Sequence, residues 1–158
     1  MSETGRNAQA SILDRLIDLE PDVSQEPVQF RLQGLRQVKA SVVRDLENLL
    51  NTKRPVEDPP DTFRNLRESL FVYGLKDFTA HNPKAGTVRQ QLRLEIERAI
   101  SRFEPRLRNV VIQLEIDGEK DRSLRFRISA VLVVEPLAEP VSFDTVLDVN
   151  KAQFKVAS

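Results

Sequence analysis

The chain is predicted to be an α+β protein: two main helices packed on a small antiparallel sheet of about three strands, with a short amphipathic helix ahead of them. Three observations predict this. Apolar residues recur at three- and four-residue spacing in two long stretches, and beyond residue 107 the period changes to two. Between the two regimes sits Pro105, which cannot continue a helix and pushes Glu104 toward extended geometry. At 158 residues the chain suits one domain with a real core. The expected division is a flexible N-terminal segment with a short helix over 1–30, the folded domain over 31–150, and a C-terminal tail over 151–158.

Residues 11–19 place Ile12, Leu13, Leu16 and Ile17 on one helical face, with Ser11 as N-cap and Asp14 in the first turn. So short a helix is unstable alone in water, so it either folds back on its own domain or docks on a partner. Residues 20–30, with Pro21 and Pro27, form a spacer. The first substantial helix covers 34–51, where Leu35, Val38, Val42, Val43, Leu46, Leu49 and Leu50 make the buried stripe. Pro55, Pro59 and Pro60 stop it, which makes 53–62 a loop. Residues 68–78 read as a short helix or turn ending in Gly74. Thr87 is expected to cap the second long helix, whose stripe is Val88, Leu92, Ile96, Ala99, Ile100 and Phe103. Its other face alternates in sign through Arg89, Arg93, Glu95, Glu97, Arg98 and Arg102 and is assigned to solvent.

After Pro105, Val110, Ile112, Leu114 and Ile116 alternate with outward residues, and Leu124, Phe126, Ile128, Ala130, Leu132 and Val134 do the same. Pairing Ile116 with Leu124 puts Leu114 opposite Phe126, Ile112 opposite Ile128, and Glu115 opposite Arg125. Apolar and charge matching agree on this register, and a one-residue slip would expose the apolar set. Pro136 and Pro140 are expected to end the second strand, and 141–149 gives a third through Phe143, Thr145, Leu147 and Val149. The second strand outruns its partner. Its far end, with Val131 and Val133, is therefore either an edge open to another chain or covered by the third strand.

Twenty-four basic and 24 acidic residues cancel, which argues against electrostatically driven binding to nucleic acid or membrane. Cysteine is absent, which excludes disulfides, thiolate nucleophiles and zinc–thiolate sites. No apolar run approaches the roughly 20 residues that span a bilayer, and residues 1–10 are polar; the chain is read as cytoplasmic. His81 stands alone in a loop, the glycines are scattered and no paired ligand spacing occurs, so no cofactor and no metal are expected.

The informative stretch is Arg102-Phe103-Glu104-Pro105-Arg106-Leu107. Were 103–107 extended, Phe103, Pro105 and Leu107 would share one face and Glu104 and Arg106 the other. Such a corner would hold an acid and a guanidinium outward for a partner to grip, or would be a plain connector with solvated charges. Glu104 is also the best candidate general acid for glycoside cleavage, with Glu115 or Asp117 as second carboxylate. Arg102 and Arg106 flank it, and nearby cations lower a carboxylate pKa, opposite to what a general acid needs. Carbohydrate clefts also use aromatic surfaces, and this chain has no Trp and one Tyr.

Val43-Arg44-Asp45-Leu46-Glu47-Asn48-Leu49-Leu50-Asn51-Thr52-Lys53-Arg54, then Tyr73-Gly74-Leu75, then Glu104-Pro105-Arg106 ahead of a hairpin, resemble the TssE family. These are type VI secretion baseplate subunits related to the contractile-phage wedge protein once labelled a lysozyme. Leu13-Asp14-Arg15-Leu16 looks like the family's N-terminal signature, and the resemblance runs over about 11–150. Lys76 departs from it, standing where relatives commonly carry proline. The resemblance implies a non-enzymatic wedge subunit in the cytoplasm, in a baseplate docked at the inner face of the membrane complex. Its partners would be TssF, TssG and TssK and the first ring of the TssB/TssC sheath, which the hairpin would template. The contact to the wedge core would fall on Glu104, Pro105 and Arg106, and the sheath edge on Val131 and Val133. Charge reversal at Arg106 is expected to break assembly while leaving the fold intact, and proline at Val133 to block sheath initiation. The rival is a peptidoglycan-cleaving, lysozyme-like hydrolase.

Overall fold

Two long helices lie on one face of a four-stranded antiparallel meander. The computed structural model describes residues 8–9, 11–17, 32–33, 35–55, 57–78, 85–115, 123–135 and 137–157. In chain order these are β1 (Ala8–Gln9), α1 (Ile12–Leu16), β2 (Leu32–Gln33), α2 (Leu35–Asn51), α3 (Arg64–Arg67), a 3-10 turn at Leu70–Val72, α4 (Gly86–Phe103), β3 (Leu107–Glu115), β4 (Ser123–Val134), β5 (Leu137–Asp148) and β6 (Gln153–Ala157). β1 and β2 form a separate two-stranded pair, and the main sheet runs β3-β4-β5-β6. His81, the 79–83 loop, the 20–30 spacer, and Ile116, Asp117 and Gly118 of the hairpin loop lie outside the described residues.

The apolar stripes place the helices. Val38, Val42, Leu46, Leu49 and Leu50 of α2 and Leu92, Ile96, Ala99 and Ile100 of α4 are buried against Phe126, Ile128, Leu132, Phe143, Leu147 and Phe154 of the sheet. α4 packs chiefly on β3 and α2 on β6. α4 begins two residues earlier than expected: its N-cap is Ala85, which makes no side-chain cap bond, so Thr87 is not the cap. Position 52–54 crosses 73–75 closely. Leu75 donates its N–H to the Thr52 carbonyl at 2.9 Å, and Arg54 donates to the Leu75 carbonyl at 3.0 Å.

In the hairpin, Leu114 faces Phe126, Ile112 faces Ile128 and Glu115 faces Arg125, as the pattern requires. A bulge between Arg108 and Val111, with Asn109 at φ 53°, lets Leu107 and Ile112 both face the core although they are an odd number of residues apart.

Three expectations are corrected. The sheet has four strands, because Gln153–Ala157, in the stretch read as a tail, pairs with β5 from Asp144 to Asp148. Pro140 lies inside β5, opposite Val131, and does not end a strand. β6 reaches only as far as Asp144, so among the described residues Pro140 sits where β5 has no second neighbour and a missing amide is tolerated. Finally, Val131 and Val133 are not on an edge: β4 is central, Val131 pairs with both Arg108 and Pro140, and the Val133 N–H donates to the Arg106 carbonyl at 2.8 Å. Proline at 133 would therefore disrupt the fold itself.

The outer edge of β6 is closed by α2. Asn51 Nδ2 donates to the Phe154 carbonyl at 3.0 Å, the Phe154 N–H donates to Asn51 Oδ1 at 2.8 Å, and the Val156 N–H donates to Glu47 Oε1 at 2.9 Å. Two side chains one helical turn apart thus stand in for a fifth strand. The edge left without a strand among the described residues is β3.

Thr145 is 1% exposed and its hydroxyl finds no partner among the described residues. An orphaned buried hydroxyl costs about 1–3 kcal/mol, and valine keeps its shape. Thr145→Val should therefore raise the urea midpoint by the equivalent of about 1 kcal/mol; an unchanged or lowered midpoint would show that the hydroxyl is satisfied.

Candidate interaction site at the 104–106 corner

The corner is a turn, not an extended segment. Glu104 caps α4 by donating its N–H to the Ile100 carbonyl at 2.9 Å, and its own carbonyl accepts from the Leu107 N–H at 3.1 Å. Alternation of faces therefore does not apply, and the expected outward display of Glu104 and Arg106 is wrong. Glu104 is 4% exposed, Arg106 is half-buried, and Pro105 alone points to solvent.

Arg106 closes on its neighbour. Its Nε donates to Glu104 Oε1 at 2.7 Å, Nη2 to Glu104 Oε2 at 2.6 Å, and its backbone N–H to Oε1 at 3.3 Å. Nη2 also donates to Asp45 Oδ2 at 2.6 Å, and Nη1 to Ser41 Oγ at 3.0 Å. Four of the guanidinium's five donors are engaged inside the protein. Burial opposes its charge, but the hydrogen bonds and charges of Glu104 and Asp45 outweigh that and push its pKa above the ordinary guanidinium range.

The network continues outward. Arg44 donates to Asp45 Oδ1 through Nε at 2.9 Å and Nη2 at 2.8 Å, and Nη2 also meets Asp14 Oδ1 at 2.8 Å. Asp14 Oδ2 accepts from the Ser11 hydroxyl at 2.6 Å. Burial would raise the Asp14 pKa, yet Ser11 and Arg44 together hold it below the usual carboxylate value. Glu104, Arg106, Asp45, Arg44 and Asp14 thus alternate in sign across the corner, α2 and α1. Three acids against two cations leave one negative charge.

Glu104, Arg106, Asp45 and Asp14 line a cavity of about 510 Å³, together with Val38, Leu49, Tyr73 and Phe103. The two rings meet edge to face, 5.1 Å between centroids at 72°. Burial, with Asp45 and Glu104 nearby, raises the Tyr73 pKa. At the rim stands α1. Leu13 borders the cavity, but most of the helix's apolar face stays open: Ile12 is 70% exposed and Leu16 75%, with Ile17 also exposed. The helix is fastened by its acid, Asp14, and leaves its apolar face to solvent.

Among the described residues, Glu104 and Glu115 are not assembled as the carboxylate pair of the rival reading. Both Glu104 oxygens already accept from a guanidinium, so neither is placed to hand a proton to a substrate. Glu115 is at the far end of β3, on the order of 25 Å away at about 3.3 Å per strand residue, and pairs with Arg127 at 3.4 Å. Hydrolysis needs the two carboxyls about 5–9.5 Å apart. Asp117 lies outside the described residues. Among the described residues no group of three or more His, Cys, Asp or Glu could hold a metal ion, and no helix is long and apolar enough to cross a membrane.

Sequence reasoning missed Asp45 and Ser41. The signal was there: both fall on the apolar face of α2, between Val38, Val42, Leu46 and Leu49, where a polar residue needs a buried partner.

Residues 36–137 match the family described as "Baseplate wedge protein gp25". A chain from the structure titled "The baseplate complex from the type VI secretion system" is similar over 70% of this chain and 94% of that one, at 18% identity and a TM-score of 0.48. No curated protein matches.

Proposed function

Because this chain belongs to the baseplate wedge protein gp25 family, we propose that it is a TssE-like structural subunit of a type VI secretion baseplate. In this reading it acts in the cytoplasm, at the inner face of the membrane complex, docking on TssF, TssG and TssK and templating the TssB/TssC sheath. The observation that carries the docking is the apolar face of α1, held in solvent beside the 104–106 corner. An apolar helix face anchored by an ion pair fits a protein groove better than water. Pro105 supplies the rigid rim, and the buried Glu104–Arg106 pair fixes its position. The strand edge open to a sheath segment is β3, which supports templating at Leu107–Glu115, with Val131 and Val133 contributing from the uncovered sheet face.

Ile12→Glu with Leu16→Glu tests this without touching the core. The doubly substituted chain should keep its melting temperature and lose at least tenfold in co-purification with TssF and TssG. Undiminished co-purification would overturn the α1 assignment.

A further inference from the structure

A second cavity, of about 370 Å³, opens between α4, residues 54–59 and residues 67–76. Its lining carries five cations, Arg54, Arg67, Lys76, Arg98 and Arg102, against two carboxylates, Asp58 and Glu95. Arg54, its side chain 10% exposed, takes up both acids, pairing with Glu95 and, at 2.8 Å, with Asp58. Asp58 is shared with Lys76 at 2.7 Å, and Arg67 pairs with Asp61 outside the cavity. Two charges remain. Among the described residues neither Arg98 nor Arg102 meets a carboxylate, and Arg102 donates only to the Arg67 carbonyl, at 3.0 Å.

The segment walling this cavity is apolar on its outside. Between residues 63 and 71, Phe63, Leu66, Leu70 and Phe71 all stand exposed, Leu70 to 79%. An inorganic anion would answer the arginines and leave these side chains wet. A nucleic acid would meet two free cations on a chain of zero net charge. A peptide with carboxylates on one side and apolar residues on the other satisfies both features.

We propose that this face binds an acidic amphipathic segment of a partner protein, its carboxylates on Arg98 and Arg102 and its apolar side chains on Leu70 and Phe71. The inference needs only a protein partner and stands apart from the baseplate reading.

The test uses the full chain and a fluorescein-labelled amphipathic peptide of alternating glutamate and leucine pairs, followed by fluorescence polarisation. The peptide should bind with an affinity that falls as salt rises. Arg98→Glu with Arg102→Glu should weaken it at least tenfold, Arg98→Lys with Arg102→Lys should restore much of it, and Leu70→Ser with Phe71→Ser should independently cost at least tenfold. All four substituted positions are exposed, so circular dichroism melts should match the parent. No binding, equal binding of a glutamine-for-glutamate peptide, or displacement by millimolar inorganic phosphate would each overturn the proposal, the last by showing a simple anion pocket.

Discussion

Replacing Arg106 with methionine should remove about 3–5 kcal/mol of folding stability, the characteristic cost of breaking a buried ion pair from one side. The loss arises from what stays behind. Glu104 keeps 4% exposure and Asp45 remains half-buried beside it, so two carboxylates face one cavity without the guanidinium that separated them. The Ser41 hydroxyl would also lose the donor at 3.0 Å. Against a typical total of about 5–15 kcal/mol, such a change decides whether the chain folds. Urea unfolding followed by circular dichroism measures it. Arg106→Met combined with Glu104→Gln should recover about 1–3 kcal/mol relative to the two losses added, because the second change removes the charge that the first orphans. A single-variant loss below about 1 kcal/mol would show the pair to be solvated.

This expectation changes how any interaction assay on the corner is read. Charge reversal at Arg106 would place a third acid beside Glu104 and Asp45, so failed assembly would follow from failed folding whatever the corner touches. Exposed positions report on docking; Arg106 reports on the scaffold. The distinction follows from a hydrogen-bond inventory in which four of five guanidinium donors are spent internally.

The helices and the hairpin register were legible because each rests on a repeated signal. Seven apolar residues from Leu35 to Leu50 agree on one face, and Ile112, Leu114 and Glu115 all select the same register against β4. Where a segment is short, one residue can outweigh its pattern. Phe154 and Val156 alternate over only five residues of β6, behind a turn made by Asp148 Oδ1 accepting from the Asn150 and Lys151 N–H groups and by Ala152 at φ 49°. Pro140 looked like a terminator because the pairing extent of β6 cannot be read from local sequence. The corner is illegible for a different reason: period-two alternation does not carry across a turn, and the partners of Arg106 lie 61 and 65 positions away on α2. Arg98 and Arg102 are exposed, as the alternating face predicts, but that pattern does not show that Glu95 goes to Arg54 across the fold.

Gly74→Ala should cost about 3–5 kcal/mol, because at this position a methyl group has nowhere to go. A Cβ built on Gly74 lies 2.2 Å from the Thr52 carbonyl oxygen and 2.8 Å from its carbon, both backbone atoms that cannot rotate aside. The backbone angle φ of +102° is one that side-chain-bearing residues rarely adopt, and holding it costs on the order of 1–3 kcal/mol by itself. Relief requires the 52–54 and 73–75 segments to part, which breaks the bonds from Leu75 N–H to Thr52 and from Arg54 N–H to Leu75, each contributing about 0.5–1.5 kcal/mol. The same parting would pull Leu75, 3% exposed, from the core and Tyr73 from Phe103 at the corner cavity. The resemblance blocks ending at Arg54 and at Leu75 are thus one structural unit, with glycine at the crossing because only hydrogen fits. Gly86 supplies the comparison: a Cβ there meets nothing within 4 Å, and as the first residue of α4 it should tolerate alanine with no loss, or gain up to about 1 kcal/mol. Melting both variants side by side separates steric exclusion from ordinary glycine entropy, and midpoints within the equivalent of about 1 kcal/mol of each other would refute the crossing as a packed contact.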